Sequence, residues 1–146
     1  MFQRILIATD GSKLSSKAVK SGIKLAASLG AEVFAFMAIP RYPVAYYEGG
    51  AVPGIEFTEK VRGKLRHDAQ IILNQVEELC ASYEVKATTV TGLDPVGDAI
   101  IKSAKKHNCD LIVMASHGRK GIKRLILGSE TQDVLTHSTI PVLVLR

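Results

Sequence analysis

Three glycines, a serine and four basic residues cluster between residues 118 and 129 of this 146-residue chain. Gly118, Gly121 and Gly128 would let a ligand approach the backbone closely, and Ser129 stands directly before a segment with helical character. Backbone N–H groups at a helix N-terminus bind phosphate. Basic side chains in the same loop would attract a negatively charged ligand; they are Arg119, Lys120, Lys123 and Arg124. These residues predict anion binding, although either pattern alone is also typical of ordinary turns and caps.

A strand and a helix must position this loop. The apolar run from Leu111 to Met114 is typical of a strand buried on both faces, and small residues follow it. The segment from Glu130 to His137 is predicted to be helical. Ser129 and Gln132 have the spacing of a capping box, which predicts Ser129 as the N-cap.

The rest of the chain alternates predicted strands and helices. Apolar runs predict strands at 4–9, 32–39, 85–91 and 142–145, and Gly92 is expected to end the third of these. Helical spacing predicts a helix at 13–29, with Gly30 at its C′ position, and another at 58–82. A third is predicted to open with Asp94 as the N-cap and Pro95 in the first turn. This order implies a parallel sheet covered on both faces, which binds ligands at the carboxyl ends of strands where the winding reverses. Cys80 and Cys109 lack metal-type spacing and are predicted to be reduced core residues.

Length, composition and charge limit the classes of protein to which this chain can belong. The length fits one domain, 1–146, and 47% hydrophobic with 23% charged residues is ordinary globular usage. No apolar run approaches a membrane span and the first residues lack a signal-peptide pattern, so we expect a cytoplasmic protein. The net charge is +5, but aromatic residues are only 5%, which argues against nucleic-acid binding. The lysines at 13, 17, 20 and 24 are expected to form one solvated helix face.

Residues 40–57 form a segment without periodicity. They include three of the five prolines and three of the four tyrosines. A connection of this length is either a functional lid or partner-contacting segment, or a simple insertion. Both interpretations stay open.

The spacing Ala115, two residues, Gly118, nine residues and Gly128-Ser129 resembles the G-x2-G-x9-G-[S/T] nucleotide signature of the universal stress protein family. The opening RILIATDGS, the flanking VMASHGR and the closing PVLVLR are similar to that family too, so the resemblance covers the whole chain. It implies a Rossmann-like, adenine nucleotide alpha hydrolase-like fold with strand order 3-2-1-4-5. One position departs. Ala115 replaces the first glycine, and its methyl group is tolerated if φ is negative but hinders binding if φ must be positive.

The resemblance implies an ATP site where the winding reverses, between strands one and four. Gly118, Gly128 and Ser129 would hold the phosphates, and the backbone of Ala38 would pair with the adenine edge. Asp10 would hold a ribose hydroxyl or Mg²⁺, or merely cap the first helix, and Arg119 would neutralise phosphate or lie exposed. The predicted site residues are Thr9, Asp10, Gly11, Ser12, Ala38, Met114, Ala115, Ser116, Gly118, Arg119, Gly128, Ser129 and Glu130.

Catalysis is not expected beyond slow ATP hydrolysis, because neither a nucleophile nor a paired carboxylate accompanies His117 in the sequence. The patterns of a receiver domain, a P-loop kinase and a dinucleotide enzyme are missing. Family members that lack most of the glycines do not bind ATP. The alternative function is therefore a non-nucleotide interaction module of the same fold, acting through its dimer surface. In the family the last strand, here 141–146, pairs across a homodimer, and the segment 40–57 is a candidate contact for an unknown protein partner.

Overall fold

The computed structural model describes residues 1–40, 55–93, 95–118 and 127–146. Within these ranges five strands alternate with four helices. The strands are β1 Arg4–Ala8, β2 Glu32–Ile39, β3 Ala87–Leu93, β4 Leu111–Ala115 and β5 Val142–Leu145. The helices are α1 Lys13–Leu29, α2 Ile55–Ser82, α3 Val96–Lys106 and α4 Ser129–His137.

The strands form one parallel sheet in the order β3-β2-β1-β4-β5, as predicted. In the centre of the sheet, Ile5 of β1 pairs with Val33 of β2 and with Leu111 of β4. The chain therefore winds outward from β1 in both directions. The reversal of winding falls between β1 and β4, where a crevice opens at the carboxyl ends of the strands.

Successive residues of each central strand enter two different cores, because side chains alternate across a sheet. Ile5 and Ile7 of β1 pack with α1 and α2 on one face. Leu6 and Ala8 pack with α3 and α4 on the other face. All four side chains are buried. An apolar run without polar alternation is what a sheet covered on both faces requires.

The first helix is held close to the sheet. Ser12 is its N-cap and accepts a hydrogen bond from the N–H of Ser15 at 3.2 Å. Gly30 ends it with φ 64°, a conformation that favours glycine, in agreement with the sequence. Gly22 lies against β1, where an added Cβ would be 2.9 Å from Ile7 Cδ1. This close packing fixes the turn that follows β1 relative to the sheet.

The third strand lies two residues later than the predicted 85–91. Val85 belongs instead to the turn that ends α2, since its N–H donates to the Cys80 carbonyl at 2.9 Å and Glu84 has φ 58°. Gly92 was expected to end the strand but lies inside it. Its missing side chain makes room for the Phe36 ring, because a Cβ there would be 2.8 Å from Phe36 Cε2.

Three helices begin at other residues than predicted. The second starts at Ile55 rather than at 58. The third has Pro95 as its N-cap, so this proline precedes the first turn instead of lying in it. The expected N-cap, Asp94, lies outside the described residues. The fourth starts at Ser129, one residue early.

The amino ends of the strands are tied together by polar groups at the edge of the sheet opposite the crevice. Asp110 accepts hydrogen bonds from the backbone N–H groups of Gln3 and Arg4 at 2.8 and 3.0 Å. Glu32 lies 2.6 Å from Lys86 Nζ, and the hydrogen bond from Lys86 lowers the pKa of Glu32. These contacts join β1 to β4, and β2 to the start of β3, at the end of the sheet opposite the crevice.

The remaining predictions have mixed outcomes. Cys80 and Cys109 are buried and free, as expected, and the four lysines of α1 are exposed. Among the described helices, none combines the length and the apolar character needed to cross a bilayer. Most of the segment 40–57, from 41 to 54, lies outside the described residues.

Candidate functional site

A cleft of about 570 Å³ opens at the carboxyl ends of β1, β2 and β4. It lies at the predicted reversal of winding and has the size typical of a small-molecule site. Nine of the predicted site residues line it: Thr9, Asp10, Ala38, Met114, Ala115, Gly118, Gly128, Ser129 and Glu130. The structure therefore brings together residues that are up to 121 positions apart in the sequence.

The turn after β1 forms one wall. Asp10 Oδ1 accepts a hydrogen bond from the N–H of Ser12 at 2.9 Å, and the N–H of Gly11 donates to Thr9 Oγ1 at 3.1 Å. Gly11 needs its glycine backbone here, because its φ is 78°. Gly11 and Ser12 do not line the cleft. Ser12 caps α1, and Gly11 faces a separate cavity of about 200 Å³ beside α1 and α2.

The turn after β4 forms the facing wall. The N–H of Ser116 donates to the Leu145 carbonyl at 2.8 Å, and the Ser116 hydroxyl lies 3.2 Å from His117 Nδ1. Ser116 is buried behind the wall and does not line the cleft, whereas His117 does. A Cβ at Gly118 would overlap with Asp10 Oδ2. The two turns thus touch each other where a side chain is missing.

The methyl group of Ala115 is compatible with this geometry. Glu84 and Asn108 are the non-glycine residues with positive φ in the described part of the chain, so Ala115 has an ordinary extended backbone as the last residue of β4. Its side chain is buried, and its carbonyl accepts a hydrogen bond from Thr131 Oγ1 at 3.0 Å. The family's glycine is therefore not required here by backbone conformation.

The prediction that Ser129 caps α4 is wrong. The N–H of Gln132 donates to the Gly128 carbonyl at 3.0 Å, so the helix starts at Ser129 and Gly128 is the N-cap, without a side-chain cap. The Ser129 hydroxyl instead donates to Glu130 Oε2 at 3.2 Å. A Cβ at Gly128 would be 3.2 Å from the Cα of His117. The N–H groups of residues 129–131 precede the first hydrogen bond of the helix, and all three residues line the cleft.

An apolar wall was missing from the predicted site. It comes from β2, α2 and α3, and its members include Met37, Ile39, Leu65, Ala69, Ile72, Val96 and Ile100. Helical periodicity marks the α2 and α3 residues as apolar, but periodicity does not say which turn of a helix reaches the edge of the sheet. Ala38, the residue that the resemblance places beside the adenine edge, also lines the cleft next to this wall.

The charges on the described lining are negative. Asp10, Asp68 and Glu130 are the carboxylates, and no lysine or arginine is among the described lining residues. The basic residues predicted to attract an anion, Arg119 among them, lie in 119–126, outside the described ranges. In the described part of the chain, no group of three or more histidine, cysteine, aspartate or glutamate residues is arranged to hold a metal ion.

The whole chain, residues 1–146, matches the model of one protein family, described as the universal stress protein family. This chain belongs to the universal stress protein family. It is 31% identical over 151 residues to the universal stress protein YxiE of Bacillus subtilis, with full coverage of both chains. It is 30% identical over 146 residues to the universal stress protein MJ0531 of Methanocaldococcus jannaschii, covering 100% of this chain and 83% of that relative.

Solved structures of universal stress proteins have the same fold. The hypothetical protein MJ0577 superposes with a TM-score of 0.85 at 26% identity, over 99% of this chain and 96% of that chain. A universal stress protein in complex with cAMP gives 0.73 at 20% identity, over 99% and 97%. A universal stress protein from Archaeoglobus fulgidus in complex with dAMP gives 0.69 at 16% identity, over 99% and 98%. These likenesses support the doubly wound, Rossmann-like architecture.

Proposed function

We propose that this universal stress protein binds ATP in the cleft between β1 and β4 and acts as a nucleotide-dependent regulatory module in a stress response. The observation that carries the proposal is the convergence of nine predicted residues on one cleft of about 570 Å³. Two of the structural neighbours are complexes with cAMP and dAMP, which supports an adenine nucleotide as the ligand.

The phosphates would lie at the N-terminus of α4. The N–H groups of residues 129–131 are not used by the helix's own hydrogen bonds, and the helix dipole favours negative charge there. A Cβ at Gly118 would overlap with Asp10 Oδ2, and one at Gly128 would be 3.2 Å from the His117 Cα, so both glycines allow close packing of the turns that border this part of the cleft. The base would lie against the apolar wall, with its edge at the backbone of Ala38.

A divalent cation such as Mg²⁺ would supply positive charge between the phosphates and the carboxylates of the cleft. Asp10 is the residue that we propose to hold it or a ribose hydroxyl. Within the described part of the chain, the hydrogen-bond partner of the His117 ring is the Ser116 hydroxyl and not a carboxylate that would orient it as a base. We therefore propose binding with at most slow hydrolysis.

Three other parts of the proposal have separate grounds. The single domain spanning 1–146 is proposed from the length of the chain, and the homodimer formed through 141–146 from the family resemblance. A protein partner that contacts 40–57 is proposed from the length of that segment. The cytoplasmic location stays a prediction from the sequence.

Thermal unfolding with ATP tests the proposal. A ligand that binds only the folded state raises stability by RT ln(1 + [L]/Kd), about 2.7 kcal/mol at 100 times Kd. For a chain of this size each kcal/mol corresponds to roughly 2–4 °C in Tm. We expect Tm to rise with ATP concentration, and to rise further when Mg²⁺ is present.

Gly128→Val is the matched binding variant, because its side chain would extend toward the backbone of His117. We expect its Tm to respond much less to ATP than that of the natural protein. Absence of both a Tm shift and calorimetric heat at millimolar ATP with Mg²⁺ would contradict ATP binding. The alternative, an interaction module without nucleotide, would then be favoured, and mass spectrometry should find no nucleotide in the purified protein.

A further inference from the structure

Thr131 is a buried polar residue to which the sequence assigns no role. Its side chain is only 2% exposed, although it lies in the first turn of α4 and borders the cleft. The hydroxyl group of a threonine in the first turn often forms a hydrogen bond with backbone groups of its own helix. Here its hydroxyl instead donates to the Ala115 carbonyl, sixteen residues away at the end of β4.

Two hydrogen bonds close the base of the loop between β4 and α4. One is the Thr131 to Ala115 bond of 3.0 Å, and the other joins the Gly128 N–H to the Ser116 carbonyl at 2.8 Å. The second is made by backbone, whereas the first depends on a single hydroxyl group. Because both acceptors lie at the end of β4, the pair fixes the start of α4 relative to the sheet.

We propose that Thr131 is a positioning residue for the nucleotide site. Its hydroxyl holds the first turn of α4 so that the N–H groups of Ser129 and Glu130 face the phosphates. This inference rests on the proposed binding of ATP. Thr131 should therefore affect the affinity for ATP separately from its contribution to the stability of the fold, because its hydrogen bond orients the groups that bind the ligand.

Thr131→Val tests the inference, since valine keeps the shape and removes the donor. Titration calorimetry should show ATP binding about 5-fold weaker than in the natural protein, the central value expected for the loss of one hydrogen bond. Thr131→Ser restores the hydroxyl and should bring Kd back to within about twofold of the natural value.

Val134→Ala is the matched control. Val134 is fully buried on the same helix, so its truncation lowers stability without changing the Ala115 contact. We expect this variant to lower Tm and to leave the ATP Kd within about twofold. Equal loss of affinity in Val134→Ala and Thr131→Val would overturn the inference, as would unchanged affinity in Thr131→Val.

Amide hydrogen exchange separates this inference from the proposed function, because it needs no nucleotide. We expect the Gly128 N–H to exchange faster in Thr131→Val than the loss of global stability explains, and to be restored in Thr131→Ser. Unchanged exchange at this amide would overturn the positioning role even if ATP binds. Failure of the natural protein to bind ATP, with faster exchange in the variant, would instead overturn the proposed function and the link from Thr131 to nucleotide.

Discussion

Ala115, at the end of β4, and Gly118, in the turn that follows it, are small residues for different reasons. At Ala115 the backbone is ordinary and a methyl group fits. At Gly118 φ is not positive either, yet a Cβ would overlap with Asp10 Oδ2. Position 118 therefore requires glycine because a side chain would not fit there, and not because the backbone adopts a positive φ. Sequence spacing alone does not distinguish these reasons, because both predict a small residue.

Gly118→Ala is expected to lower the free energy of unfolding by about 1 kcal/mol, the low end of the usual cost of overpacking, because the atom that the methyl group would meet is the end of the Asp10 side chain. Asp10→Ala removes the carboxylate that the new methyl group would meet. The double variant should therefore be more stable than the sum of the two single effects, which urea unfolding in the absence of nucleotide will measure. Strict additivity would mean that the two turns do not meet at these atoms.

The buried thiols predict a pH dependence. Burial raises the pKa of Cys80 to about 11 and that of Cys109 to about 12, from 9.0. A raised pKa in the folded state favours folding below pH 9, and this contribution is lost as pH rises toward 11 and 12. We expect Tm to fall over this interval more in the natural protein than in the Cys80→Ala, Cys109→Ala double variant.

Thiol labelling is the companion measurement for the buried cysteines. At pH 8 the folded protein should react with neither thiol, and denaturant should expose both. Rapid labelling of the folded protein would contradict the burial of the two side chains, which are 0% and 5% exposed at Cys80 and Cys109.

At the scale of elements, the glycines in two helices have opposite surroundings. Gly22 of α1 faces the sheet, where a Cβ would be 2.9 Å from Ile7 and 3.2 Å from Val113 side-chain atoms. Gly63 of α2 is exposed and has nothing within 4 Å of an added Cβ. The first glycine brings a helix close to the sheet, while the second only weakens its helix.

The same substitution should therefore change stability in opposite directions. Gly63→Ala should raise the free energy of unfolding by about 0.5–1 kcal/mol through helix propensity. Gly22→Ala should lower it by about 1 kcal/mol, because overpacking outweighs that gain. Urea unfolding of both variants provides the comparison, and stabilisation by Gly22→Ala would show that α1 does not pack this closely.

The sequence predicted the order of elements and the strand order because apolar periodicity and a family signature are properties of whole segments. It failed where tertiary contacts decide a boundary. Ser129 has the spacing of a cap, but the hydrogen bond from Gln132 to Gly128 starts the helix one residue earlier. Gly92 has the character of a strand end, but Phe36 fills its space and β3 continues. Likewise, the apolar wall of the cleft depends on how far α2 and α3 extend past the sheet.

At the scale of the molecule, β5 is an edge strand with a definite inner and outer side. Among the described residues it pairs only with β4. The carbonyls of Pro141 and Leu145 accept from Ile112 and Ser116 N–H groups, so alternate residues of β5 face β4. Val144 is then one of the residues whose backbone N–H faces outward. An edge of this kind is suited to pairing with a second copy.

Val144→Pro should separate the two copies of a dimer while leaving most of the ladder with β4, since proline lacks the outward N–H. Sedimentation at micromolar concentration should give a dimer mass for the natural protein and a monomer mass for this variant. Leu143→Pro is the contrasting change, because it removes an inward N–H and should lower Tm more. A monomeric natural protein would contradict pairing through this strand.

The cleft is bordered by both helical layers of the fold. Met37 and Ile72 belong to the side of α1 and α2, while Ala38 and Ile100 belong to the side of α3 and α4. A molecule bound there would contact both helical layers, which pack on opposite faces of the sheet. A bound ligand should therefore make the two helical layers unfold cooperatively. We expect it to narrow the thermal unfolding transition as well as to raise Tm.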